Sequence, residues 1–163
     1  MDIIDRNDRV IGSADRTIIY KDKLRHRIVH VLLFTDDGKM MLQKRSKNVS
    51  YCPGHWCTAV GGHVRSGETY EVAAMRESLE ELGIKPEIKL FKKIFYRGED
   101  QELEKFLGIF IAKVPSEITI DKDELEMVES FTLGDIVNMA KTEKFHPELS
   151  FIIDEYDKEL YTI

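Results

Sequence analysis

Residues 62–84 read GHVRSGETYEVAAMRESLEELGI, and Gly62, Glu68, Arg76, Glu77, Glu80, Glu81 and Gly83 fall within them at spacings that suit a cation-binding helix. At about 100° per residue, Glu77, Glu80 and Glu81 occupy one arc of roughly a quarter turn, and Val72, Met75, Leu79 and Leu82 are expected to form an opposing apolar stripe. Three carboxylates held this close repel one another, so a basic neighbour or a hard cation such as Mg²⁺ or Mn²⁺ must offset them. The plainer reading is a solvated face carrying an Arg76–Glu80 pair, which stabilises a helix by only about 0.3–0.5 kcal/mol. The glycines favour a built site. Gly61-Gly62 ahead of the helix and Ser66-Gly67 at its entrance supply backbone that chain and ligand can approach closely, and Gly83 suits the helix stop.

A chain of 163 residues with 42% hydrophobic content supports one sizeable core. The expected organisation is therefore a single domain over 1–163, with residues 1–26 as an N-terminal hairpin extension and 27–163 as its core. The N-terminal stretch MDIIDRNDRV is acidic and polar, and the longest apolar run, Ile28 to Phe34, is short and broken by His30, so neither a signal peptide nor a membrane span is expected. Two cysteines and a net charge of -6 fit a reducing cytoplasmic setting and speak against a nucleic-acid polymer as partner. A small phosphorylated molecule remains compatible with that charge, because a divalent cation can mediate the contact. Monomer and homodimer are both open.

Strand patterns cover Asp2–Ile4 and Arg9–Ser13 around Arg6-Asn7-Asp8, and Arg27–Phe34 and Lys39–Gln43 around Asp36-Asp37-Gly38. Further strands suit Thr58–Val60, Ile88–Arg97, Glu104–Lys113 and Met127–Thr132. After the glutamate-bearing helix, a second long helix is expected from Pro147 with Leu149, Ile152, Ile153, Tyr156 and Leu160 inward, and a shorter one over Gly134–Lys141. This order suits a mixed sheet between helices, and periodicity alone leaves the topology open.

The 62–84 stretch resembles the signature of the Nudix hydrolase family, G-x5-E-x7-R-E-U-x-E-E-x-G-U, where U is a bulky aliphatic residue. Gly62, Glu68, Arg76, Glu77, Glu80, Glu81, Gly83 and Ile84 fall on its positions, and Ser78 is the sole departure. The resemblance implies an α/β fold, a Nudix-type α/β/α sandwich with a mixed sheet, here with the N-terminal β-hairpin extension. It also implies hydrolysis of a diphosphate linkage in a nucleoside diphosphate derivative or a related small-molecule diphosphate, with Mg²⁺ or Mn²⁺ as cofactor. By position, Glu77, Glu80, Glu81 and the Gly62 carbonyl would be metal ligands, Arg76 an orienting partner and Glu68 a support for the loop. Glu80, Glu81 and Arg76 are the candidate catalytic residues. The general base is either one of these glutamates or a residue of the later acidic segment, Asp123, Glu124, Glu126 or Glu129.

Leu42-Gln43-Lys44-Arg45-Ser46, Pro53-Gly54-His55-Trp56 and Gly61-Gly62-His63, preceded by His26, resemble the isopentenyl-diphosphate isomerase branch of that superfamily. In the isomerases a catalytic cysteine stands where this chain has Gly61. They also carry two glutamates on a later strand, whose nearest counterpart here, around Leu103 to Lys105, offers no E-x-E at the expected place. The resemblance therefore implies a hydrolase related to the isomerases. An isomerase is one alternative, and a non-catalytic nucleotide-binding module is another. His26 and His63 fall on isomerase metal-ligand positions, with His30 on the same strand face as His26, but the missing glutamates leave at most a partial site. Arg45, with Lys44 beside it, stands where the branch binds diphosphate. His63 is a candidate phosphate contact, and Trp56 a pocket wall or core residue. Cys52 and Cys57 have loose spacing for zinc and read as free thiols.

Overall fold

The computed structural model describes residues 1–98 and 103–163. β1 (Asp2–Ile4) and β2 (Val10–Ser13) pair antiparallel as the expected hairpin, with Asp8 in the left-handed region at φ 61°. A helix absent from the sequence reading, α1 (Arg16–Lys21), follows it. With Ile19 as its one buried residue, it has too little periodicity to be read from sequence.

The main sheet contains β3 (His26–Phe34), β4 (Met40–Arg45), β5 (Trp56–Thr58), β6 (Val60–His63), β7 (Lys89–Arg97), β8 (Glu104–Lys113) and β9 (Leu125–Phe131). Its central order is β5-β4-β3-β8-β7, with β6 added on β3 and β9 on β4. β3 and β8 run parallel, from His26 opposite Lys105 to Phe34 opposite Lys113, and the other pairs are antiparallel. The strand expected over Thr58–Val60 is instead the junction of β5 and β6 at buried Ala59.

Alternation along β3 assigns the two faces. Ile28, Leu32 and Phe34 pack under α3 (Leu133–Met139) and α4 (Pro147–Leu160), whereas Val29, Val31 and Leu33 pack under α2 (Tyr70–Leu82). The result is an α/β/α sandwich. Pro147 opens α4 behind a His146 cap that accepts from the Glu148 N–H, and Leu149, Ile152, Ile153 and Leu160 are buried as expected. None of the described helices is long and apolar enough to cross a membrane.

The buried face of α2 differs from the expected stripe. Val72 and Leu79 are 54% and 48% exposed, whereas Ala73, Ala74, Ser78 and Leu82 are buried. The small residues let the helix approach the sheet closely, and the Ser78 hydroxyl, placed where the Nudix signature has an aliphatic residue, donates to the Ala74 carbonyl at 2.8 Å. Thr69 caps the start by accepting from the Val72 N–H, and Gly83 closes the end at φ 67° with its N–H on the Leu79 carbonyl. Glu77 and Glu81, one and two turns beyond Ala73 and Ala74, are consequently carried toward the sheet.

Candidate active site

Glu77 lies over β6 at Gly62, where a Cβ would stand 2.2 Å from its Oε1, so a side chain at this position would displace the Glu77 carboxylate. One turn later, Glu81 Oε2 accepts from the Gly61 N–H and from Gln43 Nε2, both at 3.3 Å. Arg76 ties the remaining acids together. Its Nε and Nη2 donate to the two Glu68 oxygens at 2.8 and 2.9 Å, and its Nη1 donates to Glu77 Oε1 at 2.7 Å and Glu80 Oε2 at 3.1 Å. Arg76 Nη2 also donates to the His63 carbonyl at 2.9 Å, joining α2 to the end of β6. Glu68 accepts from the Arg65 N–H at 2.9 Å, so it braces the loop before the helix.

These contacts divide the acids electrostatically. The Arg76 guanidinium holds Glu68 below the usual carboxylate range. Burial raises Glu77 despite Arg76, and burial together with neighbouring Glu77 pushes Glu81 up to about 8. Beside Glu81, Gln43 Oε1 is buried with no hydrogen-bond partner. This donor set is short of positive charge, and the residues fit a hard divalent cation. Among the described residues no three His, Cys, Asp or Glu side chains already converge as a metal cage, because Glu77 and Glu80 are turned to Arg76 and Glu81 to Gln43. Holding a cation requires those carboxylates to rotate away from these partners.

A cavity of about 700 Å³ opens over this helix face. Gly62, Glu77, Glu80, Glu81, His63 and Arg45 all border it. Lys44 and Trp56 do not. Successive residues of β4 point to opposite faces, so Gln43 and Arg45 reach the α2 side, while Lys44 faces the other side with its Nζ 5.3 Å from the Trp56 ring centre. Trp56 is core, 5% exposed and edge-on to Phe131, with its Nε1 buried and without a hydrogen-bond partner among the described residues. Cys57 is buried, its thiol pushed up to about 12 by burial, and no disulfide joins it to Cys52.

The cavity also collects Arg16, Arg65, Asp121 and Glu124. Of these, only Glu124 was legible as a candidate. The Thr119 and Asp121 N–H groups donate to the Leu82 and Glu81 carbonyls, so the loop before β9 caps the end of α2 and delivers Asp121 and Glu124 to the carboxylates. Asp123, Glu126 and Glu129 do not border the cavity. Arg65 donates to both oxygens of Glu80, whereas Arg16 and Arg45 have no carboxylate partner among the described residues. Arg16 lies on α1, with its guanidinium 5.7 Å from the Tyr20 ring centre, and no sequence motif marks it.

His26 and His30 point to the face of β3 opposite the carboxylates, and His63, at the end of β6, both borders the cavity and reaches this cluster. His30 bridges Thr58 Oγ1 at 2.8 Å and Glu148 Oε2 at 2.9 Å, and Lys105 Nζ donates to the other Glu148 oxygen at 2.7 Å. Burial alone would raise Glu148, but His30 and Lys105 hold it well below the usual range. His63 Nε2 is 2.7 Å from the Tyr20 hydroxyl, and the His63 ring stacks on His26 at 5.6 Å. The chain does contain the glutamate spacing Glu102-Leu103-Glu104, but the register is out of step with the histidines. Lys105 sits beside His26, while Glu104 points to the other face and binds Arg25. Glu102 lies outside the described residues.

Residues 24–151 match the NUDIX domain family. An uncharacterized Nudix hydrolase of Streptomyces coelicolor is 40% identical over 102 residues, covering 60% of this chain and 56% of that protein. Isopentenyl-diphosphate Delta-isomerase 2 of Photorhabdus laumondii is 30% identical over 144 residues, covering 85% of this chain and 81% of that one. A crystal structure from Deinococcus radiodurans superposes with a TM-score of 0.80 at 23% identity, over 94% of this chain and 96% of its own, a likeness of fold. With the glutamates on α2, the glycines on β6 and the isomerase-like segments around them, the chain belongs to the NUDIX domain family, in its isopentenyl-diphosphate isomerase-like branch.

Proposed function

We propose that this protein is a Mg²⁺- or Mn²⁺-dependent hydrolase that cleaves a diphosphate linkage, in a nucleoside diphosphate derivative or a related organic diphosphate, by water attack at phosphorus. The observation that carries the reading is one cavity in which Glu77, Glu80 and Glu81 face Arg16 and Arg45, two guanidinium groups without carboxylate partners among the described residues. Glu77, Glu80, Glu81 and the Gly62 carbonyl would hold the cation, which when bound offsets diphosphate charge and acidifies water. Arg45 and Arg16 bind phosphate oxygens through their planar forks of donors, and His63 lines the same wall. Arg76, braced by Glu68 and the His63 carbonyl, stays beside Glu77 and Glu80 and offsets their charge until a cation takes the carboxylates. Glu124, at the cavity edge, is the proposed general base, with Asp121 next to it; either can take the proton of an attacking water.

The isomerase reading has a relative's name in its favour, but this chain's residues argue against it. A Cβ on Gly61 would stand 3.2 Å from His30 Nδ1, so the space for a thiol is already partly filled, and Lys105 stands beside the histidines. The deciding assay is product formation across nucleoside diphosphate derivatives, dinucleotides and isopentenyl diphosphate, with Mg²⁺ or Mn²⁺ and with EDTA. Metal-dependent hydrolysis of any member is expected. Dimethylallyl diphosphate appearing without hydrolysis would move the assignment to isomerase. Ligands that raise the melting temperature yet are never turned over would move it to a binding module.

A further inference from the structure

The histidine cluster behind the cavity carries an inference of its own. His26 is fully buried, and its Nδ1 lies 2.9 Å from the Leu24 carbonyl, an acceptor only, so Nδ1 carries the proton and Nε2 presents a bare lone pair. Among the described residues that Nε2 has no hydrogen-bond partner. In this arrangement a histidine is oriented as a metal ligand, and the isomerase resemblance implies a metal at His26 and His63. The surrounding residues do not fit one. The remaining nitrogen of interest, His63 Nε2, is taken by the Tyr20 hydroxyl, and the Tyr20 ring packs against both imidazoles at 5.4 and 5.7 Å. On the neighbouring strand the residue directly beside His26 is Lys105, 5% exposed, whose ammonium is neutralised by Glu148. A buried ammonium repels a second cation strongly in such surroundings, and it consumes the one carboxylate of the cluster.

We infer that Lys105 is the resident cation of this cluster, so that His26 and His63 hold no metal and instead form the socket into which Tyr20 locks α1. The locked helix is the one that brings Arg16 to the cavity wall, so the two histidines serve to position the N-terminal extension. The exclusion of metal does not rest on the hydrolase assignment, because it concerns the His26 and His63 imidazoles and Lys105, not Glu77 and Glu81.

The test is zinc binding by equilibrium dialysis in a Glu77→Gln/Glu81→Gln background, which removes the carboxylate site, with His26→Ala as the control for the histidine cluster. No His26-dependent zinc is expected at micromolar metal. Lys105→Glu in the same background should gain about one equivalent that His26→Ala abolishes. If near-ultraviolet circular dichroism shows that Lys105→Glu does not fold, Lys105→Met, which frees Glu148, carries this arm with the same expected gain. Stoichiometric His26-dependent zinc in the background protein would overturn the inference. So would a folded Lys105 variant that gains none. Neither result depends on turnover, so failure here is separable from failure of the hydrolase reading.

Discussion

Glu81 is the residue on which charge and chemistry meet. Its carboxyl, pushed up to about 8 by burial and by Glu77, is poorly offset by its neighbours, which suits the cation-binding role proposed for it. Glu81→Gln removes the ligand while keeping the shape, so turnover is expected to fall by about 100-fold or more while the melting temperature holds or rises. Steady-state rates at saturating Mg²⁺ and a thermal melt check the two halves, and a wild-type rate would remove Glu81 from the site. Gly62→Ala acts sterically. Its Cβ meets Glu77 at 2.2 Å, so a loss of about 1–3 kcal/mol in urea unfolding is expected together with lost activity. Gly61→Cys alone should yield no dimethylallyl diphosphate from isopentenyl diphosphate, because Lys105 remains beside His26 and the added side chain must displace His30.

The helix that carries these glutamates shows why an apolar pattern can mislead. Val72 and Leu79 are the larger hydrophobes, yet the sheet receives Ala73, Ala74, Ser78 and Leu82. Only a face of small residues brings α2 near enough for Glu77 to touch Gly62 and Glu81 to reach Gly61 and Gln43. Leu79→Gln should therefore change stability by less than about 0.5 kcal/mol, whereas Ala74→Leu should cost about 1–3 kcal/mol by overpacking. Denaturant titration of both variants distinguishes the observed face from the one that hydrophobicity suggests; a large loss in Leu79→Gln would contradict the packing described.

Across the whole molecule, α4 is joined to β3 and β8 by a buried polar network, which ties stability to pH. Burial lowers His146 to about 4, so the unfolded chain, with an ordinary histidine near 6.5, binds the extra proton first. Its contribution is complete above about pH 6.5 and declines as pH falls toward about 4. Glu148, held low by His30 and Lys105 against its burial, contributes above the ordinary carboxylate value and loses that contribution at lower pH still. Both groups make the fold acid-labile. The histidine part should amount to about 1–2 kcal/mol between pH 6.5 and 5. His26 and His63, lowered by burial to about 4 and about 3, act in the same direction, so His146→Asn, which retains a capping side chain, should make that part of the stability profile shallower without flattening it, as read by melts at pH 5 and 7. An unchanged slope would show that His146 is not the group responsible.

The spacing of Glu68, Arg76, Glu77, Glu80, Glu81 and Gly83 pointed to the candidate site because its logic is local: helix periodicity, a capping glycine and paired charges act within a few turns. Pro147 and the inward residues of α4 were legible for the same reason. Contacts between distant segments were not. Arg45 faces the cavity and Lys44 does not because β4 alternates within a particular sheet, and Lys105 rather than Glu104 joins the histidines because the β3–β8 register places it there. A one-residue change of register exchanges such neighbours without altering the local pattern. Arg16 and Asp121 reach the cavity through α1 and the loop before β9, neither of which carries a signal of its destination. The amino-acid sequence by itself determined the signature helix, its acidic chemistry and the family; packing across the sheet decided which face of that helix is buried, which cations meet the carboxylates and what stands among the histidines, because those outcomes depend on strand pairing between segments far apart in the chain.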